Sequence, residues 1–191
     1  MSAQLSLGGF EPAVFTDSFF FALQPNAETA SRIAELTRRL RAERGIKGIP
    51  IPAERLHVTL TFLGAFSGVP QSVVSSAVTT GDALKAAPFE VRFDRVQKFG
   101  HDKRALVLRS SEDLAALNDF QSDLVRAMRL KGLKPAGPAG FTPHLTLLYE
   151  DAVMLDESIE PVIWTAREFV LVRSLIGQSR YEVLGRWPLQ A

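Results

Sequence analysis

The chain has 191 residues, 46% of them hydrophobic, and its 22 basic and 21 acidic side chains leave a net charge of +1. That length suits one domain, or one domain built from two repeated halves. Balanced charge argues against coating long duplex nucleic acid, which calls for a basic excess, but leaves room for one phosphate at one strand end.

The chain has no cysteine, which excludes disulfides, Cys-ligated zinc and a thiol nucleophile. No apolar run reaches the ~18 residues of a membrane span, and no charged stretch leads into an apolar one near the start. A cytoplasmic setting and no membrane partner are therefore expected.

Residues 1–16 carry Gly8, Gly9 and Pro12 without periodicity and read as a flexible extension; residues 17–191 read as the folded unit. Residues 17–24 (DSFFFALQ) suit a buried strand. Asn26 is a fitting N-cap, and Ile33, Leu36 and Leu40 recur at helical spacing up to Gly45. The prolines of Gly48-Ile49-Pro50-Ile51-Pro52 exclude a helix interior and mark a connector. A strand is expected over residues 55–63 and a helix over 70–86. Phe89-Glu90-Val91-Arg92-Phe93 alternates, and a turn at residues 100–103 leads into Ala105-Leu106-Val107-Leu108 as a hairpin. Ser110 or Ser111 suits the cap of a third helix reaching about Lys131, with Leu114, Leu117, Leu124 and Met128 on its apolar face. A Gly- and Pro-rich loop then leads to a strand over 141–149, and strands are expected over 168–174 and 181–187.

Two short patterns stand out: His57-Val58-Thr59-Leu60 and His144-Leu145-Thr146-Leu147. Only three histidines occur in the chain, and two of them fall in this pattern. Residues i and i+2 of a strand share a face. His57, Thr59 and Thr61 therefore point one way in an ideal strand, and Val58, Leu60 and Phe62 the other. His144 and Thr146 separate from Leu145 and Leu147 in the same manner. Each pattern follows a helix and a Pro/Gly-rich loop, which fits two similar α+β halves with a site between them.

Imidazole changes charge near neutral pH, so one of two histidines can accept a proton while the other donates one. That pair suits displacement at phosphorus without a metal, and threonine hydroxyls can donate to the non-bridging oxygens. A lone strand histidine is usually a satisfied polar residue; two copies in matching contexts reverse that reading. His101 sits in a turn and reads as a solvated surface residue. Two histidines make an incomplete zinc site, and Glu150 or Asp151 nearby gives no recognised ligand spacing, so no metal and no cofactor are expected.

The chain resembles the two-histidine (2H) phosphoesterase superfamily, specifically the RNA 2′,3′-cyclic phosphodiesterases often labelled 2′-5′ RNA ligase, or LigT-like. The resemblance spans roughly residues 17–190. It rests on Phe19-Phe20-Phe21-Ala22-Leu23 with Pro25, on residues 55–64 (RLHVTLTFLG), on residues 141–147 (FTPHLTL), and on residues 170–174 and 181–184 near the end. It implies an α+β, bilobed fold of two pseudo-symmetric lobes, whose antiparallel sheets line a central cleft. It implies metal-independent hydrolysis of an RNA 2′,3′-cyclic phosphate to a 2′-phosphate. By the resemblance His57 protonates the leaving 3′ oxygen and His144 activates water, although pseudo-symmetry lets these roles exchange. Thr59 and Thr146 bind phosphate oxygens, and Phe62 and Tyr149, each five places after a histidine, flank the terminal base. Relatives can carry an arginine at the position of Tyr149.

The expected partner is an RNA 3′ end or a small nucleotide carrying the cyclic phosphate, acted on by a monomer. Three alternatives stay open: a 2′-5′ linked oligonucleotide, cleaved or reversibly joined; a small cyclic-phosphate metabolite; or a non-catalytic RNA- or nucleotide-binding module. Lys98, Lys103 and Arg104 are candidate backbone contacts, with simple solvation the ordinary reading of such charged loop residues.

Overall fold

The computed structural model describes residues 14–99, 105–137, 140–150 and 155–190. The turn at 100–103, His101, Lys103, Arg104, Asp151 and most of the 1–16 segment lie outside the described residues.

The chain runs β1 (Asp17–Leu23), α1 (Ala27–Arg44), a 3-10 turn (Ala53–Arg55), β2 (Val58–Phe66), α2 (Gln71–Ala83), β3 (Phe89–Phe99), β4 (Ala105–Arg109), α3 (Ala115–Leu130), β5 (Leu145–Tyr149), β6 (Asp156–Ala166), β7 (Glu168–Leu175) and β8 (Arg180–Pro188). The strands line up in the order β6-β3-β4-β5-β2-β1-β7-β8, with every pairing antiparallel. From the middle outward, each half is four strands deep, and the innermost strand of each half, β2 or β5, follows directly on a motif histidine. This is the expected α+β architecture of two related lobes.

The joint between the halves is narrow. β2 and β5 pair only through Val58 and Leu145. The connector completes it: Pro50 bridges to Leu148, and the Ile51 N–H donates to the Leu147 carbonyl at 2.7 Å. Residues 50–58 thus run along the free edge of β5. Gly48 lies so close that a Cβ there would stand 2.4 Å from the Tyr149 carbonyl oxygen.

Local signals explain α1. The Asn26 side chain accepts from the Thr29 N–H at 2.8 Å, and Gly45 takes the left-handed conformation at φ 64° that closes the helix. Ile33, Leu36 and Leu40 bury its apolar face. The third helix differs from its predicted cap: Leu114 occupies that position with no side-chain hydrogen bond. Ser111 instead gives its N–H and hydroxyl to Asp94 on β3, at 2.8 and 2.7 Å. Strand β6 is absent from the sequence-based expectation. Its outer half alternates exposed and half-buried residues (DESIE), so it lacks the apolar run that marks an inner strand.

The main core joins Phe19, Phe21 and Leu23 of β1, Val58 and Leu60 of β2, and Leu145 and Leu147 of β5 with Ile33 of α1 and Leu117, Leu124 and Met128 of α3. A second, smaller cluster holds Phe20, Ala22, Val170 and Val172, with Tyr181 packed on it. Alternation along β1 explains both: Phe19 and Phe21 face the helices, and Phe20 and Ala22 face away from them. The second cluster floors the open face of the first lobe. No described helix is long and apolar enough to cross a membrane.

Candidate active site

His57 and His144 each stand one residue before their strand, not inside it. The Nδ1–H of His57 donates to the Arg55 carbonyl at 2.7 Å, and that of His144 to the Thr142 carbonyl at 2.8 Å. A carbonyl oxygen only accepts, so both Nδ1 atoms carry the proton. In the neutral rings both Nε2 atoms are therefore free acceptors. The same bond, to the carbonyl two residues back, repeats in each motif.

A phenylalanine backs each imidazole. Phe20 stacks on His57 with centroids 4.9 Å apart and planes at 25°, and Phe99 stacks on His144 at 4.2 Å and 27°. Tyr181 meets the His57 ring edge-on at 5.6 Å. These rings fix the imidazole planes and remove water from one side. Desolvation by burial is the largest influence on both histidines and lowers both pKa values below the ordinary 6.5. The hydrogen bonds from Nδ1 oppose that shift. Charge repulsion adds to it, from His144 and Arg55 at His57, and from Arg109 at His144.

Strict alternation fails in both motif strands, for the same reason. On β2, Phe21 pairs with Thr61 and Ala22 with Thr59, so Leu60 is an extra residue in a bulge. On β5, Leu106 pairs with Leu148 and Val107 with Thr146, so Leu147 is the extra residue. Leu60 and Thr61 are consequently both buried, as are Leu147 and Leu148. The next residue in each strand turns outward: Phe62 is 37% exposed and Tyr149 58% exposed. Phe62 therefore shares the open face with Thr59, and Thr61 leaves it, correcting the ideal-strand assignment of both. Gln121 of α3 steadies the first bulge by donating to the Leu60 carbonyl at 3.2 Å.

Thr59 and Thr146 are half-buried on this face. Tyr149 stands beside the Thr146 side chain, and lies close enough to Arg55 and Tyr181 to feel their charge. Although the side chain as a whole is exposed, partial desolvation of its phenol is the main cause that raises its pKa, so it stays neutral. In the sequence Phe20, Arg55 and Tyr181 stand out only as parts of motif segments, and Phe99 and Arg109 carry no local signal. Their signal is tertiary: each contacts a histidine, or the ring beside one, from another strand or segment.

Among the described residues, no three His, Cys, Asp or Glu side chains converge as a metal would require. A hollow of about 380 Å³ lies between α1 and β6, lined by Arg32, Glu35, Arg39 and Glu160, and contains neither motif histidine.

The family model of the 2′-5′ RNA ligase superfamily matches residues 25–175. The chain belongs to this superfamily of 2H phosphoesterases. A relative from Aquifex aeolicus (strain VF5), named RNA 2′,3′-cyclic phosphodiesterase, is 27% identical over 123 residues. That match takes in 62% of this chain and 65% of the relative, so it spans just under two thirds of the relative's length. Among solved structures, E. coli LigT in its apo form superposes with a TM-score of 0.74 at 23% identity, covering 93% of this chain and all of that one. A protein from Thermus thermophilus reaches 0.69 at 24% identity over 91% of this chain and 98% of its own. The fold is that of LigT.

Proposed function

We propose that this chain hydrolyses RNA 2′,3′-cyclic phosphate termini to 2′-phosphates without a metal, using His57 and His144 as an acid–base pair. One observation carries the reading. The two imidazoles, at the joint of two antiparallel halves, are held by equivalent Nδ1–H bonds that leave both Nε2 atoms for proton transfer. The Aquifex relative's name supports the substrate class. E. coli LigT, which shares the fold, has been solved with 3′-AMP and with ATP, and a nucleotide-sized ligand agrees with both.

In the proposed reaction, neutral His144 takes a proton from water at Nε2 as the water oxygen bonds to phosphorus. The bond from phosphorus to O3′ breaks, and protonated His57 delivers its Nε2 proton to O3′. The products are a 2′-phosphate and a 3′-hydroxyl. Thr59 and Thr146 donate to the non-bridging oxygens, where charge builds in the transition state. Phe62 and Tyr149 flank the terminal base. Residues 17–191 act as a single bilobed unit in this reading.

The test is the fate of a short RNA ending in 2′,3′-cyclic phosphate, with the product isomer read by phosphorus NMR. A 2′-phosphate formed in EDTA is the expected result. A 3′-phosphate, or turnover that needs an added divalent ion, would remove the proposal.

The superfamily's name favours one second reading. The same pair, with a 5′-hydroxyl attacking phosphorus in place of water and O3′ again the leaving group, joins two ends through a 2′-5′ linkage. An excess of 5′-hydroxyl oligonucleotide discriminates the two by the appearance of ligated product.

A further inference from the structure

Each histidine shares an aromatic ring with an arginine. In the first half Tyr181 touches the His57 ring, and the Arg55 guanidinium lies over the Tyr181 ring, 4.5 Å from its centroid. In the second half Phe99 stacks on His144, and the Arg109 guanidinium lies 5.9 Å from the Phe99 centroid. The two arginines come from different places in their lobes, Arg55 from the 3-10 turn before β2 and Arg109 from the end of β4. Even so, each ends beside one imidazole.

Neither cation is neutralised. Arg38, Arg44, Arg95 and Arg173 are matched to carboxylates. Among the described residues, Arg55 and Arg109 make no ion pair and no side-chain hydrogen bond, and the Nε of each is buried without a partner. Arg41 also has an unpartnered Nε, but its terminal nitrogen bonds the Lys47 carbonyl. A half-buried guanidinium with an unsatisfied N–H carries a desolvation cost that an anionic acceptor relieves. Two such groups also raise the positive potential at both imidazoles, visible in the way each depresses the pKa of its neighbouring histidine.

We propose that Arg55 and Arg109 form the anion clamp of this cleft, each giving a charge-assisted hydrogen bond to a phosphate seated between His57 and His144. This rests on reading the cleft as a phosphoester site. Threonine hydroxyls are neutral donors, so the clamp supplies the fixed charge. It binds a dianion more strongly than a monoanion. The ligands it favours are therefore the transition state, where negative charge grows, and the dianionic 2′-phosphate product, ahead of the monoanionic cyclic substrate.

The test uses inorganic phosphate as probe, with turnover measured separately. The pKa values of His57 and His144 are read from their Cε1–H resonances, with and without phosphate, in wild type and in Arg55→Gln and Arg109→Gln. Three results are expected. Phosphate binding weakens at least about ten-fold in each variant. The unliganded pKa of His57 rises in Arg55→Gln, and that of His144 in Arg109→Gln. In turnover, kcat falls more than KM rises. Phosphate affinity within two-fold of wild type in both folded variants would overturn the clamp, as would a wild type that does not bind phosphate. Where a glutamine variant fails to fold, the lysine variant at that position carries the test. It keeps the charge and loses the fork, so affinity equal to wild type counts against the clamp. Arginine-dependent phosphate binding without turnover of any cyclic phosphate would sink the phosphodiesterase reading and leave the clamp standing. Turnover with arginine-independent phosphate binding would do the opposite.

Discussion

Val58 lies opposite Leu145 in an antiparallel pair, the single rung that joins β2 to β5. Thr59 and His144 adjoin this rung at one end, and His57 and Thr146 adjoin it at the other. Each motif thus sets its histidine at the end of the rung that carries the other motif's threonine. In the proposed site both lobes contribute, each with one histidine and one threonine. The connector bonds from Pro50 and Ile51 to β5 then bear directly on the site, because they hold the second edge of the same joint.

The pH dependence follows from the depressed histidines. Both pKa values lie below 6.5, with burial the main cause. The proposed reaction needs one imidazole neutral and the other protonated. Raising the pH through the upper apparent pKa removes the acid, and lowering it through the lower one protonates the base. Because both shifts are downward, the bell of kcat/KM, which reports the free enzyme, should peak below pH 6.5. A maximum well above pH 7 would contradict it.

The two histidines should separate by leaving group. A diester that releases p-nitrophenolate needs no general acid. On it His57→Ala should retain most activity, while His144→Ala should still lose at least ~10²-fold. The opposite pattern would exchange the two roles.

Thr59→Val and Thr146→Val remove one hydroxyl each at nearly constant volume. Each should lower kcat by roughly 10–10²-fold, somewhat less than removal of an oxyanion donor, with a smaller change in KM. Steady-state kinetics on a 2′,3′-cyclic mononucleotide checks this.

Phe62 and Tyr149 are proposed to hold the base, not the phosphate. Either one changed to alanine should weaken nucleotide binding by ~1–3 kcal/mol, the usual value of a stacking contact. Inorganic phosphate affinity should stay unchanged. Equal losses for nucleotide and phosphate would show that these side chains act on the phosphate region.

One stability prediction lies away from the site. A Cβ on Gly81 would stand 2.3 Å from the Trp187 ring, and one on Gly185 2.2 Å from it. The ring is also tied by its indole N–H to Asp82 at 2.7 Å. Gly81→Ala forces the α2–β8 contact apart and should cost ~1–3 kcal/mol, as overpacking does. Thermal unfolding measures it, and an unchanged Tm would contradict it.

Much of this molecule is legible because its signals are local. Asn26 and Gly45 bracket α1 by capping chemistry that does not depend on the rest of the chain. The pair of His-x-Thr patterns marks the candidate site at once, since both sit in apolar runs that must lie at a sheet's centre. The bulges at Leu60 and Leu147 leave no such trace, because an apolar run reads the same with one residue unpaired or none. They move Phe62 and Tyr149 outward and bury Thr61, so strict alternation misplaces those residues. The Phe20, Phe99, Tyr181, Arg55 and Arg109 surroundings are tertiary, assembled from strands and turns far apart in sequence.

The most direct test of the paired-histidine claim is single-turnover hydrolysis of an RNA ending in 2′,3′-cyclic phosphate, in EDTA, by wild type, His57→Ala, His144→Ala and the double variant. Wild type should give a 2′-phosphate, and each single variant should lose at least ~10²-fold. The double variant should fall well short of the product of the two losses, because the proposed pair acts as a unit. A folded His57→Ala or His144→Ala that turns over at the wild-type rate would contradict the claim.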